Sequence, residues 1–164
     1  MKPQDLVVLA KLVALGDKEW TQLSLAKDLF MSQSEISSAL ARCRYANLLG
    51  YKGKTVHRKP FYDFIQYGLA VVFPQQPGVL VRGTATAHSA APLSDDIMST
   101  EAYVWPYGKG DTRGQSIMPL YPSVTQAVEL DPILYKILAL MDAVRVGRAR
   151  ERNLALAYLK ELIC

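Results

Sequence analysis

The sequence predicts a mainly α chain of the α+β class, and three observations carry that expectation. Apolar residues recur at helical spacing near both ends of the chain. Between them, Pro74, Pro77, Pro92, Pro106, Pro119 and Pro122 break the middle repeatedly, with Gly83, Gly108 and Gly114 among the glycines there. Within that broken segment, "VLVRGTATAH" and "AYVWPYG" leave room only for short strands. The expected organisation is an N-terminal helical module over 1–73, a loop-rich connector packed on the core over 74–130, and C-terminal helices over 131–164.

Pro3 suits a first helical turn, where its missing N–H costs nothing. Leu6, Val7, Val8, Leu9, Leu12 and Val13 then form a strongly apolar helix that Gly16 ends. Thr21 is the expected N-cap of a second helix with Leu25, Ala26 and Leu29 inside. Ser32 opens a third. Its Ser32-Gln33-Ser34-Glu35 reads as a capping box, the serine taking the Glu35 N–H and the carboxylate returning to the cap. That helix should run to about Tyr45, with Asn47 supplying a left-handed turn.

At 100° per residue, Ile36, Ala39, Leu40 and Cys43 share one face of the third helix. The other side carries Ser34, Ser37, Ser38, Ala41, Arg42 and Tyr45. An ordinary solvated face holds more Lys and Glu. Small polar residues ending in Arg and Tyr suit a helix lying in a major groove. The pair of helices reads as a helix-turn-helix.

Charge placement points the same way. Residues 1–60 hold ten Lys and Arg against five Asp and Glu, whereas 61–130 hold three against six. Within 42–60 stand Arg42, Arg44, Lys52, Lys54, Arg58 and Lys59, with His57 and no acid. Such a stretch is either a solvated loop or a phosphate-facing patch. "YKGKTVHRKP", with Gly53 inside it, occupies the place of a short β-hairpin wing after the third helix.

Residues 5–60 resemble the winged helix-turn-helix domains of MarR- and ArsR-type bacterial regulators. The resemblance rests on an apolar helix, then "WTQLSLAKDL", "MSQSEISSAL" and "ANLL" in that order. It implies a winged helix-turn-helix fold and binding of double-stranded DNA by residues in and around Gln33–Tyr45 and by the wing. The candidate site is therefore Gln33, Ser34, Ser37, Ser38, Arg42, Arg44, Tyr45, Lys52, Lys54, His57, Arg58 and Lys59.

Beyond the module, a helix over about 60–67 should lead into a short apolar strand before Pro74. Asp131 and Pro132 start a C-terminal helix that Gly147 breaks before a second one resumes. Its apolar positions exceed one stripe, so either the first helix of the chain or a second subunit covers them. The expectation adopted is a homodimer through these helices. Arg145, Arg148 and Arg152 form a second basic side, facing either phosphate or acidic neighbours.

Other chemistry finds little support. Two cysteines, Cys43 and Cys164, do not make a disulfide framework or a four-ligand zinc site. His88-Ser89 and Asp95-Asp96 have no catalytic or ligand spacing, and "GKGDTRG" lacks the order of a phosphate loop and reads as a surface turn. Arg82, His88, Tyr103, Trp105, Tyr107, Arg113 and Tyr121 either pack under loops or line a pocket for an unknown small-molecule effector. No apolar run reaches the roughly 18 residues of a membrane span, and no secretory cleavage pattern follows the N-terminus. The expected protein is a cytoplasmic transcriptional regulator, a homodimeric repressor without enzymatic activity, cofactor or metal. The other reading is a protein-interaction module, an antitoxin or accessory subunit on the same scaffold.

Overall fold

The computed structural model describes residues 1–52 and 54–164 and is mainly helical with one small mixed sheet. Gly53, the glycine of the expected wing, lies outside the described residues. Helix α1 spans Pro3–Leu15, with Gly16 at φ 60° closing it. The apolar run leaves it almost no wet face, and Leu6 to Leu12 are all buried. Helix α2 spans Gln22–Leu29, with the Thr21 hydroxyl accepting from the Ser24 amide as its cap. Helix α3 spans Gln33–Tyr45. Only Phe30, Met31 and Ser32 separate the two, and Phe30 stands in the left-handed region at φ 53°.

Ser32 caps α3 by accepting from the Glu35 amide at 3.1 Å. The second half of the expected capping box is not formed. Glu35 turns away, accepting from Gln4 at 2.8 Å and pairing with Arg42 at 3.3 Å. Its carboxyl is held below the usual range, chiefly by the Gln4 hydrogen bond against a small desolvation cost, with Arg42 adding to it. Ile36, Ala39, Leu40 and Cys43 are buried as the 3.6-residue period requires, and Asn47 takes φ 56°.

After α3, Leu49 and Val56 form a single antiparallel bridge, flanked by hydrogen bonds between Gly50 and Thr55 and between His57 and Leu48. Helix α4 spans Arg58–Tyr67 and is followed by a helical turn, α5, over Leu69–Val72. The strand expected there is absent. Gly68 continues the chain in helical geometry at φ −111° and ψ −34°, and the Val72 amide donates back to its carbonyl.

Strand β1 spans Leu80–Ala85 and a single 3-10 turn follows at Ala87–Ser89. The short helix α6 covers Leu93–Asp96, then come strands β2, Tyr103–Pro106, and β3, Thr112–Ser116. Strand β3 takes in "TRG" of the segment "GKGDTRG" expected to be a surface turn. β1 pairs antiparallel with both partners, and β2 pairs parallel with β3, so the three strands close on themselves. Closure brings backbones very near one another. A Cβ at Gly83 would stand 1.9 Å from the Trp105 carbonyl oxygen, and only glycine fits.

Short helix α7, Val124–Ala127, leads to α8, Pro132–Val146, capped by Asp131, and to α9, Ala149–Ile163. Helix α8 is the centre of the fold. It packs against α1, α4, α5, α9 and the turn after β1, and Leu134, Ile137 to Val144 and Arg145 are buried on it. One hydrophobic cluster joins residues from all three expected segments. Most of the apolar excess of α8 is thus covered within the chain.

Arg145, placed on a basic outer side by sequence, is instead inside. It pairs with Asp142 at 2.8 Å and donates to the Phe73 and Met118 carbonyls. Asp142 also accepts from Thr86 at 2.8 Å and Trp105 at 2.6 Å. This buried node fastens the strand unit to α8.

Candidate nucleic-acid interface

The outer face of α3 is open. Gln33, Ser34, Ser37, Ser38, Ala41 and Tyr45 are all exposed, Tyr45 almost completely at 96%. The sequence places them there because the opposite face supplies Ile36, Ala39, Leu40 and Cys43 to the core. No acid stands among them, since Glu35 is drawn toward Gln4 and Arg42. What remains is a surface of hydroxyls and one amide on small side chains, with the Tyr45 ring projecting at its C-terminal end. Such a face admits another surface to within hydrogen-bond distance of the α3 side chains.

The bases around it are less available than their composition suggests. Arg42 does not project outward. Its Nε and Nη2 donate to the Asp5 carboxylate at 2.7–3.1 Å, and Asp5 is wholly buried at the start of α1. The Asp5 hydrogen bond dominates the rise in its pKa, with burial opposing it and Glu35 adding to it. Arg42 is a structural clasp in this fold. Helical-wheel reasoning missed this because Arg is long enough to lie along the helix and reach a partner 37 positions earlier.

Four other residues of the expected site are also held by the chain. Lys54 donates to the Trp20 carbonyl at 2.6 Å and lies 4.9 Å from the centre of the Trp20 ring. Arg58 donates to the Ile163 carbonyl at 2.9 Å, fixing the end of α9 on α4. Lys59 pairs with Asp63 one turn along α4, and that carboxylate raises its pKa. The His57 Nδ1 stands 2.8 Å from the Asn47 carbonyl oxygen, so that nitrogen carries the proton and donates.

Among the described residues, Lys52 and Arg44 make no ion pair, and the Arg44 Nε is a buried donor without a partner. The α3 face is thus open, Lys52 is exposed, and Arg44 on α3 is half-buried. The structure ties down Arg42, and it tethers Lys54, His57, Arg58 and Lys59 by hydrogen bonds at the surface.

The aromatic cluster read from the middle segment separates into distinct places. Trp105 is in the core on Asp142, with the Tyr135 ring 5.7 Å away. His88 is buried against Tyr103, ring centres 4.6 Å apart, and its Nε2 meets the Glu101 carbonyl at 2.8 Å. Arg82, Tyr107 and Tyr121 line a different, open groove beside Phe30. Asp96, set aside as catalytic, accepts from Tyr158 at 2.5 Å.

Comparison of the chain with protein-family models, curated protein sequences and solved structures gives no match. No helix among the described residues is long and apolar enough to cross a membrane.

Proposed function

We propose that the chain is a sequence-specific DNA-binding transcriptional regulator that lays the exposed face of α3 in a major groove. The single observation behind this reading is the acid-free face of Gln33, Ser34, Ser37, Ser38 and Tyr45, on the second of two helices joined by a three-residue turn. Hydroxyls and the Gln33 amide read base edges or phosphates, and Lys52 and Arg44 position the duplex. The Leu49–Val56 bridge serves as a stub of a wing. Arg42 has no reading role, because its guanidinium is committed to Asp5.

A two-fold operator calls for a homodimer, and repression follows from occupying it. That dimer has to use surface other than the buried flanks of α8. No cofactor or catalytic step enters the mechanism.

Selection from a random duplex pool at physiological salt tests this reading. One enriched motif is expected, and Ser38→Glu should abolish the enrichment by placing a carboxylate against the groove. Lys52→Ala should lower affinity for all duplexes alike and reduce the salt slope by about one. A pool that stays random sinks the proposal.

A second reading is favoured by the tethering of Arg42, Lys54, Arg58 and Lys59, which leaves the basic stretch fewer free cations than a phosphate-binding surface uses. In it, α3 docks on a protein, and the chain is an antitoxin or accessory subunit. A stoichiometric protein partner that survives nuclease treatment, together with an unselected duplex pool, would establish it.

A further inference from the structure

Arg82 on β1 and Arg113 on β3 stand directly opposite one another in the antiparallel register. Directly opposed residues project from the same face, with Cβ atoms about 5 Å apart, and like charges so placed repel. Both arginines are exposed, and among the described residues neither belongs to an ion pair. Opposed on one face of the sheet, the two arginines offer an anion a paired site.

Arg82 is also a wall of an open groove of about 780 Å³, whose other walls include Phe30, Tyr107, Tyr121, Pro106 and Gln126. Three aromatic rings beside the Arg82 guanidinium, with Arg113 opposite it on β3 and just outside the groove's walls, suit a ligand with a flat ring and a strong anion. Phe30 is 48% exposed and held at φ 53°, a conformation uncommon for a residue with a large side chain. The groove floor is firm, because the Ser123 hydroxyl donates to the Leu29 carbonyl at 2.6 Å.

We propose that this groove binds a nucleotide phosphate, the phosphate clamped by Arg82 and Arg113 and the base stacked on the adjacent aromatic rings. A phosphate group at neutral pH carries charge enough for two guanidinium groups and offers each a pair of acceptor oxygens. Nucleobases stack on Tyr and Phe with little regard to sequence, and the Gln126 amide stands at the rim for a base edge. Asp111, the acid nearest in sequence to Arg113, takes the Thr112 hydroxyl at 2.9 Å instead of the arginines. The groove shares no residue with the exposed face of α3, so it does not rest on the reading of that helix.

Titration calorimetry on the full chain with AMP, adenosine, inorganic phosphate and a ten-residue oligothymidylate tests the proposal. AMP should bind, and adenosine and phosphate should each bind at least about tenfold more weakly, since each keeps half of the recognition. Arg82→Gln and Arg113→Gln should each weaken AMP by about tenfold. Without ligand both variants should melt at or above the parent temperature, because the repulsion is relieved. Tighter binding of the oligothymidylate than of AMP, with the same loss in the variants, makes a nucleic-acid strand the source of the phosphate. Tighter AMP makes it a free nucleotide, and either result supports the site. Absence of heat with both AMP and the oligothymidylate at millimolar concentration overturns it, as does binding unchanged in both variants. Ser38→Glu should leave AMP binding intact, so failure here is distinct from failure of the α3 reading.

Discussion

The Arg42 guanidinium sits two-pronged on the Asp5 carboxylate, joining the third helix to the first turn of the first helix. Asp5 also accepts from the Lys2 backbone amide at 2.8 Å, so one buried carboxylate caps α1 and anchors α3. Removing the arginine would leave a wholly buried carboxylate with one amide partner, while Asp5→Asn would remove the charge that Arg42 is oriented to meet.

Arg42→Ala is therefore expected to lower unfolding free energy by roughly 2–4 kcal/mol, somewhat under the full cost for a buried pair because Arg42 is itself partly exposed. Urea unfolding measures it. Equal stability of the variant and the parent would mean the pair holds nothing together. The effect on any duplex should follow the folded fraction and not discriminate between sequences.

The thiols give a second check on the α3 core. Burial pushes the Cys43 thiol up to about 12, with Asp5 adding to the rise, whereas Cys164 is exposed. At pH 8 a disulfide reagent should modify Cys164 at once and Cys43 only with global unfolding. Fast modification of both in the native protein would show that α3 opens on its own.

The parts legible in the sequence were those fixed by near neighbours. The stripe of Ile36, Ala39, Leu40 and Cys43, the Thr21 and Asp131 caps and the left-handed Asn47 all act within four residues. Partners distant in the chain were not legible. Arg42 meets Asp5 across 37 positions and Lys11 meets Asp131 across 120. Strand β3 hid because Thr112–Ser116 carries no apolar alternation, its central glycine being needed for the approach of the Ala102 backbone. "LAVV" reads as strand by β-branching, yet continues α4 as a helical turn. Asp142 and Arg145 did leave a trace, a charged pair three residues apart within a helix apolar on nearly all sides.

Lys11 and Asp131 define a pH window. Burial pulls the Lys11 pKa down, but the hydrogen bonds to Asp131 and Asp28 outweigh it and hold the group above its usual 10.5. Burial likewise raises Asp131, and the Leu134 amide and Lys11 outweigh it, holding the carboxyl below its usual 3.8. A raised lysine stabilises the fold fully below 10.5 and loses that contribution as pH rises through its folded value. A lowered carboxylate stabilises it above 3.8 and loses that as pH falls through its folded value. Lys11→Met should thus be less stable than the parent by roughly 2 kcal/mol between those limits, the difference shrinking beyond each. A difference independent of pH to the extremes would assign the effect to packing and not to the pair.

The Asp142 node makes the strongest claim about how the middle segment is held. Burial pushes the Asp142 carboxyl up, opposed by Arg145 and by the Thr86 and Trp105 donors. Its oxygens receive Thr86 just after β1, Trp105 of β2 and Arg145 of α8 itself. Asp142→Ala strands the Trp105 N–H and leaves Arg145 a buried cation with only carbonyls for company, so a loss of roughly 3–5 kcal/mol is expected. In a Trp20→Phe background Trp105 is its own reporter: its fluorescence should show the strand unit loosening at lower urea than the helical circular dichroism signal. Replacing both charges, Asp142→Leu with Arg145→Met, should recover part of the stability, because no uncompensated charge remains while Thr86 and Trp105 still lack an acceptor. If the single variant unfolds in one transition at the parent midpoint, Asp142 is not what fastens the strands to α8, and the apolar contacts of α8 alone must do so.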